Sequence, residues 1–187
     1  QMSSENIRSL NKKFDGAFMS WFLEHLKDPV KTLKALHGSL KKDAPVYITE
    51  VQNACFFINP YSPNILQFWH EFNDFQWYTS GNPFVGANLG NLLQQVGFRD
   101  IKVYPKIIHV DRLNRHAQSD LVEDFRDLIL TSSKLLIEKK KVKKTLVDNC
   151  LKELDKIKKD KNFVEKFEVL PKEEQKSHLF NFPIDQS

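Results

Sequence analysis

The residues of this sequence that could do chemistry fall in three stretches. Glu24 and His25 set a carboxylate beside an imidazole. Because imidazole titrates near neutrality, His25 can act as a general base; the blander reading is a hydrogen-bonding pair at a helix entry. Glu50 closes the apolar run VYITE, where it can orient a substrate or stand as a solvated carboxylate at a strand end. Trp69, Phe72, Trp77, Tyr78 and Phe84 are a dense aromatic set. Such side chains roof small-molecule pockets, and equally they pack cores. Cys55 has no convincing partner for a nucleophile's role.

These groups need elements to position them. Phe14–Ser20 reads as a first strand, apolar enough to be buried on both faces as parallel strands are. Asp28-Pro29 is a strong helix start, with an N-cap carboxylate and proline at the first helical position. Val30, Leu33, Leu36, His37 and Leu40 carry that helix to about Lys42. Val46–Val51 is a second buried strand, which completes a strand–helix–strand unit with both strand ends on one rim. In open α/β sheets ligands bind at that rim.

Further along, an irregular loop spans residues 52–63, and a helix over about 64–78 carries Ile65, Phe68, Trp69, Phe72 and Phe75 on one face. TSGNP breaks the chain, and a short helix over 87–96 ends at Gly97. Residues 98–110 alternate like a strand, interrupted at Pro105. Beyond Arg115 three segments with helical spacing follow, the third carrying Phe163 and Phe167. Leu179 to Ile184 suggests a last strand, and residues 1–13 read as a polar loop.

The 187 residues suffice for one domain, or one domain with a helical appendage. No apolar run reaches the ~18–20 residues needed to span a bilayer, and the first residues lack a signal-peptide layout. Cys55 and Cys150 read as buried thiols in a reducing compartment, so a cytoplasmic location is expected. Net charge is +4, but Lys139–Lys161 holds ten lysines against four acids. Such a run is usually a solvated helical face. Without arginine–aromatic interleaving it speaks against nucleic-acid binding.

The stretch FDGAFMSWFLEHLKDP, as FD-x-x-x-x-S-W-x-LEHL-x-DP, resembles the class I S-adenosylmethionine-dependent methyltransferases of small molecules. VYITEV then stands at the place of that family's fifth strand, and GNPFVGANLGNLLQQVGFRDIKV at its next helix and sixth strand. The resemblance implies a partial Rossmann-like α/β sheet, strands four onward, over residues 1–115. Residues 116–187 would be a helical extension or insert with a final strand at 177–184.

It implies S-adenosylmethionine as cofactor and a small-molecule acceptor as partner. Ser20 and Trp21 would face the methionine and sulfonium region. Met2 and Ser3 match the adenine-contacting pair, although the aspartate usual at the first place is Met2 here. His25 and Glu50 would serve the acceptor, and the five aromatics would bind it. Some relatives hold a divalent ion with Glu-x-x-Glu-His; Trp21 takes the first glutamate's place, so no metal is expected.

The six glycines form no GxG pair, so the family's Gly-rich turn and first three strands are expected to lie outside this chain. That makes it a truncated version of a longer protein or a remnant, inactive by itself. The alternative is a non-catalytic association module that dimerises through the Phe14–Ser20 edge.

Overall fold

The computed structural model describes residues 4–79, 81–111, 113–160 and 164–167. These form two compact units interleaved along the chain, residues 4–52 with 81–106, and residues 53–79 with 107–111, 113–160 and 164–167. The expected boundary at residue 115 falls inside the second unit.

In the first unit, β1 (Ala17–Ser20), α1 (Pro29–His37) and β2 (Val46–Thr49) make the anticipated α/β unit. The strands are parallel, in register from Ala17↔Val46 to Ser20↔Thr49, so both carboxyl ends share one rim. Asp28 caps α1 by accepting from the Lys31 N–H at 3.1 Å, with Pro29 opening the helix. Leu33 and Leu36 then pack with Val46, Ile48, Leu89 and Leu93 in one apolar cluster.

Three expectations fail here. α1 ends at His37 rather than near Lys42, because the chain beyond it runs alongside Phe14. Phe14 donates to Ser39 O and accepts from the Lys41 N–H, both at 2.9 Å, which extended backbone allows and a helix does not. Residues Ser4–Leu10 form a 3-10 helix, not a loop. It is held to α1 by Arg8 Nη2 donating to Lys34 O at 2.7 Å and by the Ser4 and Thr32 hydroxyls 3.2 Å apart. Arg8, with Lys13 donating to Gly38 O at 2.7 Å, places cations at the negative end of α1. Finally, β1 is not buried on both faces. Its residues alternate between half-buried and exposed, and Phe18 is 54% exposed, so only one face of the strand is covered among the described residues.

The second unit contains β3 (Phe57–Asn59), α2 (Pro63–Thr79), β4 (Ile108–Asp111), α4 (Arg115–Glu138), α5 (Lys144–Lys159) and β5 (Val164–Phe167). α3 (Val85–Val96) belongs to the first unit and closes with Gly97 at φ +107, the left-handed residue expected there. β5 lies between β3 and β4, antiparallel to both. The third helical segment is thus a strand, and β3 stands where a loop was expected. Residues 98–107 hold no strand of the β1–β2 sheet: Asp100 turns the chain at φ +52, and Pro105 has no N–H to donate. The strand that does form, β4, pairs within the second unit.

The core of this unit joins Ile65, Phe68 and Trp69 to Phe125, Ile129, Leu136, Val147 and Leu154. The strand anticipated at 177–184 lies outside the described residues. Among the described residues no helix is long and apolar enough to cross a membrane.

Candidate functional site at the β1–β2 rim

Where β1 ends, the chain must turn sharply away from the sheet. Trp21 makes that turn at φ +50, a left-handed conformation rare for a bulky residue, while its N–H donates to Thr49 O at 2.9 Å. Its side chain is half-exposed at the rim, next to the exposed Ser20. Leu23–His25 then form one turn of 3-10 helix, with Leu23 fully buried as the anchor.

Glu50 holds this turn. Its Oε1 accepts from the N–H groups of Phe22 at 3.1 Å and Leu23 at 2.8 Å, and Oε2 from Glu24 at 3.3 Å. One carboxylate leaving β2 thereby satisfies donors that a short helical turn cannot satisfy itself. Burial raises the Glu50 pKa; the three backbone bonds pull it back only in part, and the Glu24 charge adds to the rise. Glu50 is therefore spent on backbone, as a positioning residue for the turn that carries His25.

Glu24 is buried, and its Oε1 lies 3.7 Å from Nε2 of the exposed His25, an ion pair when the imidazole is protonated. The Asn82 N–H donates to Glu24 O at 2.8 Å, and Asn82 Oδ1 accepts from the Phe84 N–H at 2.9 Å. That brings the start of α3 to the rim. Gly86, the second residue of α3, donates its N–H to Val51 O at 3.0 Å. A Cβ on Gly86 would stand 2.7 Å from the same oxygen, so only glycine permits this approach.

Ser20, Trp21, Glu24, His25, Glu50 and Phe84 thus belong to one unit, with Phe84 half-buried. The other aromatics belong to the second unit. Trp69 is buried, donates from Nε1 to Asn53 O at 3.0 Å, stacks on Phe72 and tilts against Phe56 and Phe125. Trp69 and Phe72 are packing residues there. Trp77 and Tyr78, at the end of α2, are exposed. Met2 and Ser3 lie outside the described residues. Cys55 is exposed, not buried as expected; Cys150 is buried, and both are free of disulfides. Burial, with the Glu153 charge adding, pushes the Cys150 thiol up to about 12, so it is inert.

Sequence reasoning missed two buried oxygens that flank Glu50. Thr49 Oγ1 and Gln52 Oε1 make no hydrogen bond among the described residues, and each is a group that a polar ligand or an ordered water would satisfy. No residue pattern marks them, because being unpaired is a property of the fold. Gly86 did carry a signal, a glycine placed inside the first turn of a helix. The rim thus offers an exposed aromatic and a hydroxyl. No three His, Cys, Asp or Glu side chains among the described residues are grouped to hold a metal ion.

Residues 1–103 match the family model described as a methyltransferase domain. No curated protein matches the chain. Among solved structures it is similar to Haemonchus contortus phosphoethanolamine N-methyltransferase 2, determined with phosphomonomethylethanolamine and S-adenosylhomocysteine. The identity is 17% and the TM-score 0.34, over 85% of this chain and 34% of that one. A selenomethionine form of the same Haemonchus contortus enzyme with S-adenosyl-L-methionine gives 17% identity and a TM-score of 0.33, with the same coverage. The chain spans about a third of the length of these proteins.

Proposed function

The chain belongs to the methyltransferase domain family, and from that premise we propose that it is part of a protein that transfers a methyl group from S-adenosylmethionine to a small-molecule acceptor. The observation that carries the reading is the parallel β1–β2 pair, whose two carboxyl ends meet at a rim built around Trp21 and Glu50. When bound, S-adenosylmethionine supplies the methyl group.

The chain's own residues have positional work, since methyl transfer to a ready nucleophile depends mainly on alignment. Ser20 and Trp21, at the end of β1, would hold the methionine end of the cofactor, and the family resemblance assigns its adenine to Met2 and Ser3. Glu50 holds the Phe22–Glu24 backbone, and so fixes where His25 stands. His25 takes the acceptor's proton when the acceptor must lose one. Phe84, near the rim, lines the acceptor's side. Two free cysteines fit a reducing, cytoplasmic location.

Calorimetric titration with S-adenosylhomocysteine tests this reading, on this chain and on a longer version that carries a Gly-rich turn. Heat from the longer protein alone is expected; no heat from it overturns the proposal. In the longer protein His25→Ala should lower kcat about 10²–10⁴-fold and leave S-adenosylhomocysteine affinity unchanged.

One observation favours a second reading, association without catalysis. β1 has an open side among the described residues, and Phe18 is exposed on it. Light scattering separates the two, since a strictly monomeric chain rejects pairing through that edge.

A further inference from the structure

Five of the six residues from Lys139 to Lys144 are lysines. The exception, Val142, is buried in the second unit's core, and the lysines around it are exposed. The turn closes α4 with the Lys140 N–H on Ile137 O and the Lys141 N–H on Leu136 O, both 2.9 Å. Lys140 sits at φ +56, where glycine is the usual residue. The chain thus accepts an unfavourable conformation and keeps a cation in it.

Beside this turn lies a cavity of about 310 Å³, open to solvent, lined by Asn64, Gln67, Lys141, Lys143, Thr145 and Asn149 among others. The lysines of the turn form no ion pair among the described residues. Elsewhere on the same helices Lys158 pairs with Glu123 at 2.6 Å and Arg126 with Asp155 at 2.5 Å. The carboxylate bonded to Asn64 belongs to Glu153, and it is already used by the N–H groups of Asn64 and Ile65 at 3.1 and 3.0 Å and by Asn64 Nδ2. Two ammonium groups, a hydroxyl and three carboxamides therefore surround one small opening. That donor set matches a compact, doubly charged oxyanion.

We propose that this pocket binds a phosphate monoester group, with Lys141 and Lys143 supplying the charge and Thr145, Gln67 and Asn149 the orienting hydrogen bonds. The site stands on the second unit alone and does not depend on the methyl-transfer reading.

Titration of the chain with inorganic phosphate at constant ionic strength, followed by amide NMR, tests it. Saturable shifts confined to residues 64–67 and 141–149 are expected. The pair Lys141→Gln and Lys143→Gln should weaken binding at least tenfold. Lys152→Gln with Lys156→Gln, exposed on α5 away from the lining, should change it less than twofold. Vesicles containing phosphatidic acid form a second arm. Retention on them that is lost in the first pair assigns the monoester to a lipid headgroup; phosphate binding without retention assigns it to a soluble ester. Linear, unsaturable shifts, or equal loss in both lysine pairs, overturn the site. Duplex DNA retention that falls steeply with salt and weakens equally in both pairs also overturns it, in favour of a diffuse polyanion surface.

Discussion

The two units use the same device for different ends. In the first, Glu50 leaves β2 and accepts the N–H groups of Phe22, Leu23 and Glu24. In the second, Glu153 on α5 accepts those of Asn64 and Ile65 at the start of α2. Each carboxylate supplies acceptors that a helical turn lacks at its amino end. Around Glu153 the result is a helix pinned to its neighbour, with Cys150 Sγ donating to Asn64 O at 3.1 Å beside it. Around Glu50 the result is a turn held out at an open rim, with unpaired oxygens nearby and burial raising the carboxyl's pKa. A capping carboxylate thus tells little about function by itself. What surrounds it decides whether it serves packing or a site.

The sharpest break in the comparison should come from the second unit's core. Trp69→Ala should cost about 3–5 kcal/mol, because it opens a cavity among Phe56, Phe72 and Phe125, whereas Tyr78→Ala should stay within about 0.5 kcal/mol. Denaturant midpoints measure both, and equal losses would mean that Tyr78 is packed as deeply as Trp69.

Next in size are the two capping carboxylates. Glu50→Ala and Glu153→Ala should each cost about 1–3 kcal/mol by stranding backbone N–H groups. In the longer protein only Glu50→Ala should also weaken cofactor binding, since the turn it holds belongs to the rim. Cofactor affinity that is unchanged in Glu50→Ala would reduce it to the same structural part as Glu153.

A smaller effect separates them by pH. Because the Glu50 pKa is raised on folding, the stability linked to its titration is fully present below the unfolded value near 4.5, and it is lost as pH rises through the folded value. Wild type compared with Glu50→Gln should therefore be relatively more stable at pH 4 than at pH 7. A flat difference would remove burial as the dominant influence on this carboxyl.

Smallest is Lys140→Gly, which should raise stability by about 0.5–1 kcal/mol, because it relieves the left-handed residue that closes α4. A loss instead would show that the lysine side chain contributes more than its backbone costs.

How much of this was legible follows from the range of the interactions. β1, α1 and β2 were readable because their signals are local: Asp28-Pro29 at one end of the helix and the apolar run in VYIT, buried at three of its four positions. Gly97 was readable for the same reason. The 3-10 helix over Ser4–Leu10 was not, since it rests on Arg8 reaching Lys34 O across 26 residues of chain. β3 and β5 were missed because neither carries an apolar run like VYIT and each rests on a distant partner. Their pairing, Phe57↔Lys166, spans most of the second unit's sequence. Phe163 and Phe167 have helical spacing in the sequence, but over Val164–Phe167 strand pairing prevails over that local preference.

At the site, the place of Ser20, Trp21, His25 and Glu50 along one rim was legible from the strand ends. The work Glu50 does was not, because accepting three N–H groups 26–28 residues away leaves no mark on residue types.

The central position of β5 bears on the order in which this protein can be made. Among the described residues β3 and β4 do not pair with each other; each pairs only with β5, which leaves the ribosome after all of α4 and α5. The parallel β1–β2 pair and its covering helices are complete in the chain by residue 106, before β4 has been synthesised. During synthesis the rim can therefore assemble early, whereas β3 and β4 wait as open edges through more than fifty residues of helix and turn. The antiparallel sheet is the last of the described structure to close, and a chain that stops short of Val164 would expose two strands with nothing to join them.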